Sequence, residues 1–167
     1  SRYGCAVHND GKYGVSVRGG SIRLSLHKAG CRPDATGDSG IHDVTYAFLP
    51  HTGALSAQTV TYPAYCLNEP VLTFQGIRRL PEAPVTTDCD HIIIESVKPL
   101  HETAARALVV RLYECEGAAD HADLHFAPYI RSAALTDLLE ENEQPVEVPM
   151  CTCSSRPFEI KTLVLTY

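Results

Sequence analysis

Side chains able to do chemistry gather in a few places in this sequence. Asp34, Asp38 and His42 share one polar stretch rich in Gly, Pro and Asp. Carboxylates and an imidazole are directional partners for vicinal hydroxyl groups. The same residues can instead close a turn whose Asp side chains take backbone N–H groups. Glu95 and Glu114 fall on neighbouring predicted strands. A carboxyl pair is what acid–base hydrolysis requires, but two glutamates alone do not establish one, and solvated or ion-paired positions are the other reading. His121, Asp123 and His125 alternate along a predicted strand and so share a face, as a metal site or as surface residues. Cys151 and Cys153 point the same way by the same rule; as half of a zinc site they need two more ligands, and otherwise they are buried, inert thiols. Tyr13 offers an aromatic face to a ring-shaped partner, or is a half-buried strand residue. His51, after Pro50, is read as capping a loop.

The elements that must position these residues are short strands. Asn9-Asp10-Gly11-Lys12 is a turn signal between Gly4–His8 and Tyr13–Val17. Arg18-Gly19-Gly20 then leads into Ser21–Leu26, where Ile22, Leu24 and Leu26 alternate onto one face. The three strands are expected to form a meander. A long polar loop spans 29–43, a length that is usually functional or disordered. Val44–Leu49 reads as a strand. A short helix fits within Leu55–Leu67, with Pro63 interrupting it. Val71–Gln75 is a further apolar stretch, and Gly76–Asp90 has the character of a linker. Beyond it, strands are expected at His91–Val97, Ala107–Tyr113, His121–Phe126, Ile130–Leu135, Val146–Cys153 and Phe158–Thr166, with Pro99–Arg106 as a hairpin loop. This spacing suits a sandwich. Glu140-Glu141-Asn142-Glu143 is an acidic turn expected to be solvated, and Arg156 and Lys161 can pair with Glu159 or with that turn.

Composition bounds the function. The chain has 167 residues, 44% apolar and 20% charged, with a formal net charge of −6, so it has room for one ordinary domain or two small ones. Lys and Arg are scattered, which argues against nucleic acid and favours a neutral or sugar-like partner. No apolar run reaches the ~18 residues a membrane helix needs. The seven cysteines are odd in number and irregular in spacing, unlike a secreted disulfide scaffold, so reduced thiols and a cytoplasmic setting are expected. The N-terminus is mixed and polar, unlike a signal peptide. The sequence opens Ser1-Arg2-Tyr3 with strand pattern at once, as expected of a piece of something longer.

Several phrases carry a resemblance. His8-Asn9-Asp10-Gly11-Lys12-Tyr13-Gly14-Val15-Ser16-Val17 resembles the "LNDxKYGYSV" of family 38 α-mannosidases of the cytosolic type, and Arg23-Leu24-Ser25-Leu26 resembles the "LRLSLLR" that follows. Residues 33–42 resemble "PDPxADxGxH", Thr45–His51 "TYALYPH", and Leu67-Asn68-Glu69-Pro70 "LNNPL". In the second half, His91–Lys98 is similar to "NVVIETVKKAE", Val110–Glu114 to "LVVRLYEAHG", Leu135–Glu140 to "ETNLLEE", and Arg156–Leu163 to "LRPFEIKTLRL". Each phrase alone is weak; together, in order, they span nearly the whole chain. Departures at Gly30-Cys31-Arg32 and Ala104-Ala105 fall in loops.

The resemblance implies an all-β fold of antiparallel sandwiches: the tail of a mutarotase-like sandwich over 1–80, then a small C-terminal sandwich over 88–167. It implies a parent enzyme that hydrolyses terminal α-linked mannose from oligosaccharides with retention. Its nucleophilic Asp would lie in an N-terminal α/β-barrel-like domain beside a divalent metal, usually zinc. None of those motifs occurs here, so no residue of this chain inherits a catalytic or metal-binding role, and the isolated piece is expected to be inactive. It would pack on the N-terminal catalytic domain, with Asp34, Asp38 and His42 contacting sugar hydroxyls or that domain. Exposed strand edges in the first segment leave a homo-oligomer open. The competing class is a free-standing carbohydrate-binding or interaction module of sandwich fold, which predicts measurable mannose affinity. An independent hydrolase would need a pocket with two carboxylates.

Overall fold

A computed structural model describes residues 3–76, 82–100 and 106–167. The chain divides into two compact units, Ser1–Thr73 and Phe74–Tyr167.

In the first unit, β1 (Tyr3–Asn9) pairs antiparallel with β4 (Tyr46–Thr52), placing Gly4 opposite His51 and His8 opposite Ala47. Meanwhile β2 (Val15–Arg18) and β3 (Ser21–Leu24) form a ribbon of their own. The expected meander is therefore corrected. Asn9 Oδ1 accepts the N–H groups of Gly11 at 3.1 Å and Lys12 at 2.5 Å, turning the chain away rather than into a hairpin. Asp10 and Thr45 then clamp each other: Asp10 N–H donates to the Thr45 carbonyl at 3.2 Å, and Thr45 N–H donates to Asp10 Oδ2 at 2.8 Å. That clamp sets β4, not β2, beside β1.

A π-helical turn (Ala57–Thr61) runs into α1 (Tyr62–Asn68). Ser56 caps it, its Oγ accepting from Thr59 N–H at 3.2 Å while Ser56 N–H donates to Thr59 Oγ1 at 2.9 Å. Pro63 lies in the first turn of α1, where a missing N–H is no loss, so it opens the helix instead of interrupting it. Val71–Gln75 forms neither helix nor strand.

The second unit is a sandwich of two antiparallel sheets. One has five strands in the order β10 (Gln144–Val146), β9 (Ser132–Thr136), β12 (Ile160–Thr166), β7 (Ala107–Glu114), β6 (Ile92–Pro99). The other has three, β11 (Met150–Ser155), β8 (Asp120–Phe126) and β5 (Val85–Thr87). Ile92, Val110, Leu112, Leu163 and Leu165 from the first sheet meet Val85, Ala122, Leu124, Phe126 and Cys153 from the second in one buried cluster. The alternation on β8 is the period of two that makes such a face.

Two expectations change here. Gly76–Asp90 is not only a linker, because Val85–Thr87 adds a strand to β8; residues 77–81 lie outside the described residues. Val146–Cys153 is two strands in different sheets. They part at Pro149, which has no N–H to give a ladder and whose carbonyl accepts from Phe126 N–H at 2.8 Å. Of the expected 99–106 hairpin loop, 101–105 likewise lie outside the described residues. Its closing bond, Leu100 N–H to the Ala107 carbonyl, is 3.0 Å.

Candidate functional site

The 29–43 loop is almost entirely exposed, yet tied together by its own contacts. Asp34 Oδ1 accepts from Thr36 Oγ1 at 2.7 Å and Thr36 N–H at 2.9 Å. These donors hold its carboxyl below the usual value, the hydroxyl most strongly. Thr36 in turn offers its carbonyl to the Ser39 hydroxyl and to Ser39 N–H, the latter at 3.1 Å. Gly37 has φ +50°, and a Cβ there would stand 2.9 Å from the Gly30 carbonyl oxygen, so glycine lets the two limbs of the loop close on each other. His42 Nε2–H donates to the Asp38 carbonyl at 2.6 Å. Its ring also meets His27 edge-on, centroids 4.9 Å apart and planes at 67°.

Asp38 and His42 are thus brought together, but through the Asp38 carbonyl, leaving its carboxylate outside that bond. Asp34 is engaged in its own turn. His27 was missed because nothing in its sequence neighbourhood distinguishes an imidazole just after a strand run. Tyr13 is not the half-buried strand residue of one reading: it precedes β2 and is 94% exposed, leaving its ring open. His51 does not cap a loop. It lies within β4, its ring across Gly4, where any side chain would collide with it, and its Nδ1 is buried without a partner.

The carboxylates of the second unit do structural work. Glu95 sits exposed at the bulge between Ile94 and Ser96. Glu114 is not solvated but fully buried, and accepts N–H bonds from Glu116 at 2.8 Å, Gly117 at 2.8 Å and Phe158 at 2.9 Å. Burial pushes its carboxyl up, but the N–H groups of Phe158, Glu116, Ala118 and Gly117 outweigh it and leave it below its ordinary value. The acidic turn is not solvated at Glu140, which binds Lys98 Nζ at 2.6 Å and Arg111 Nη2 at 2.9 Å with a side chain only 16% exposed. Asp137 anchors that turn, its Oδ1 taking Leu139 N–H at 2.9 Å and Glu141 N–H at 3.0 Å. Glu159 pairs with Arg156 at 3.0 Å and Lys161 at 3.4 Å, as the sequence suggests.

The donor sets weighed for a metal do not converge. His121 and His125 are exposed on β8, and Asp123 between them accepts from Thr152 Oγ1 at 2.7 Å. Cys151 and Cys153 pack against the core, and burial pushes both thiols up. Among the described residues no group of three His, Cys, Asp or Glu side chains can hold one metal ion.

These features define a class: an all-β, two-unit module with an ordered polar loop on one unit and a self-contained sandwich in the other. Residues 91–163 match the glycosyl hydrolases family 38 C-terminal beta sandwich domain, and residues 1–36 match the glycosyl hydrolases family 38 C-terminal domain. The chain is 34% identical over 171 residues to human alpha-mannosidase 2C1, covering 98% of this chain and 16% of that protein. The mouse protein of the same name is 33% identical at the same coverage. Alpha-mannosidase G of Dictyostelium discoideum is 31% identical, covering 96% of this chain and 16% of that protein. The chain belongs to glycosyl hydrolase family 38, in its C-terminal region, and spans about 16% of the length of these curated relatives.

Proposed function

We propose that this chain is the C-terminal β portion of a retaining α-mannosidase that removes terminal α-linked mannose from oligosaccharides in the cytoplasm, and that it serves there as scaffold and cleft wall. Retention needs two carboxyl groups ~5 Å apart, one as nucleophile and one as acid/base. Glu114 is consumed by backbone N–H groups and Glu95 sits exposed at a bulge, which supports the reading that the chemistry is housed in an N-terminal catalytic domain of the same polypeptide. The zinc of such an enzyme finds no fitting donor set among the described residues of this chain.

One observation carries the scaffold reading. In the first unit Ala57 is the one apolar side chain buried among the described residues, while Tyr3, Tyr13, Val17, Tyr46 and Phe48 are widely exposed. A groove of about 340 Å³ lined by Val7, Ile22, Leu24, Leu26, Tyr46 and Phe48 lies open between its two ribbons. Fragments of a sheet with an apolar face and no core are half of something. On this reading, residues 1–80 complete a larger mutarotase-like sandwich with upstream strands, residues 88–167 form the small closing sandwich, and the 34–42 loop borders the mannose site through Asp34, Asp38 and His42. An assay of the parent polypeptide on an aryl α-mannoside, with NMR of the first-formed sugar, should show turnover to the α-anomer. Absence of turnover, or the β-anomer first, overturns the proposal.

A further inference from the structure

We propose that His27 is a positioning residue for sugar binding, fixing the ring of His42 so that it presents a hydroxyl acceptor; this rests on the reading of the 34–42 loop as a border of the mannose site. Two contacts leave His42 one orientation. A carbonyl can only accept, so the 2.6 Å bond to the Asp38 carbonyl places a hydrogen on His42 Nε2. In the neutral ring Nδ1 is then the unprotonated nitrogen, free to accept from a hydroxyl. The bond alone leaves the imidazole free to swing about it. The edge-on contact with His27, at 4.9 Å and 67°, supplies the second constraint. His27 follows the β2–β3 ribbon, while His42 closes the far end of the loop, so the contact links the loop's exit to its entry. The loop between them is held by the Asp34–Thr36 turn and the close approach of Gly37 to Gly30. The result is an exposed ring with defined tautomer and plane, which directional recognition of a neutral sugar requires.

The test uses the full-length parent enzyme and measures kcat and KM for an aryl α-mannoside and its monodeoxy analogues. An edge-on ring contact is worth enough that His27→Ala and His42→Ala should each raise KM about three- to ten-fold while kcat stays within about twofold. His27→Phe, which keeps an aromatic edge, should restore wild-type KM. Against one monodeoxy mannoside, the wild type should lose affinity while His42→Ala should not. If His27→Ala keeps wild-type KM, or His27→Phe behaves like His27→Ala, the positioning role is wrong. If His42→Ala leaves KM and the deoxy pattern unchanged, the loop does not touch the sugar and the inference falls with it. If the wild-type parent turns over no mannoside, the failure lies in the proposed function instead. The loop is exposed, so melting temperatures of the three variants should match the wild type, and His27→Phe keeps the test readable should an alanine variant lose its fold.

Discussion

Glu114 shows how far a residue's chemistry depends on what it faces. Its carboxylate spans two turns, taking the N–H groups of Glu116 and Gly117 after β7 and of Phe158 before β12. Replacing it with alanine leaves three part-buried N–H donors without this acceptor and should cost about 1–3 kcal/mol of unfolding free energy, read from urea titration. Because its folded-state carboxyl titrates below the ordinary value, its stabilisation is complete above the unfolded value near ~4.3 and is lost as pH falls through the lower folded value. Glu114→Gln should therefore flatten the fall in stability between about pH 5 and pH 3 relative to wild type; an unchanged slope would contradict this account. The sequence shows Glu114 only as an acid at the end of a strand. One of its partners, Phe158, lies 44 residues away, and no local pattern announces that contact or the burial that comes with it. The Asp34 turn, by contrast, was legible, because an Asp two residues before its donor is a local signal.

At the scale of elements, periodicity located most strands, but pairing depended on distant contacts. Ser21–Leu24, Ala107–Glu114 and Ile160–Thr166 fall where alternating or continuous apolar runs place them. The β1–β4 pairing was hidden because its determinant, the Asp10–Thr45 clamp, joins positions 35 residues apart. Pro149 carried a readable signal for the break between β10 and β11, since a proline has no N–H to give a continuous ladder. The turn after β7 offers a test. Gly117 has φ +76°, and a Cβ there would stand 2.8 Å from Phe158 Cζ. Gly117→Ala should lower the stability of the chain by about 1–2 kcal/mol, from backbone strain and displacement of that ring. A variant with the wild-type urea midpoint would show that the turn yields freely.

For the whole chain, the contrast between the two units matters most. The second unit buries Leu124, Leu163, Leu165 and Val110 completely, whereas the first buries Ala57 and the imidazole of His8 among its described residues. Hydrogen exchange on the purified chain should follow this contrast: slow amides on β7 and β12, and fast ones on β2 and β3. Equal protection in both units would mean that the first closes a core of its own. The family was legible because its phrases run in order along nearly the whole sequence. The sparse burial among the first unit's described residues was not, since the sequence shows which residues are apolar but not which of them find cover.

The central claim, that these strands support chemistry housed elsewhere in the polypeptide, is tested most directly by turnover of an aryl α-mannoside by the purified 167-residue chain. The account predicts no release of aryl alcohol above the buffer rate, with or without added zinc. Turnover abolished by changing Glu95, Asp34 or another carboxylate of this chain would contradict it.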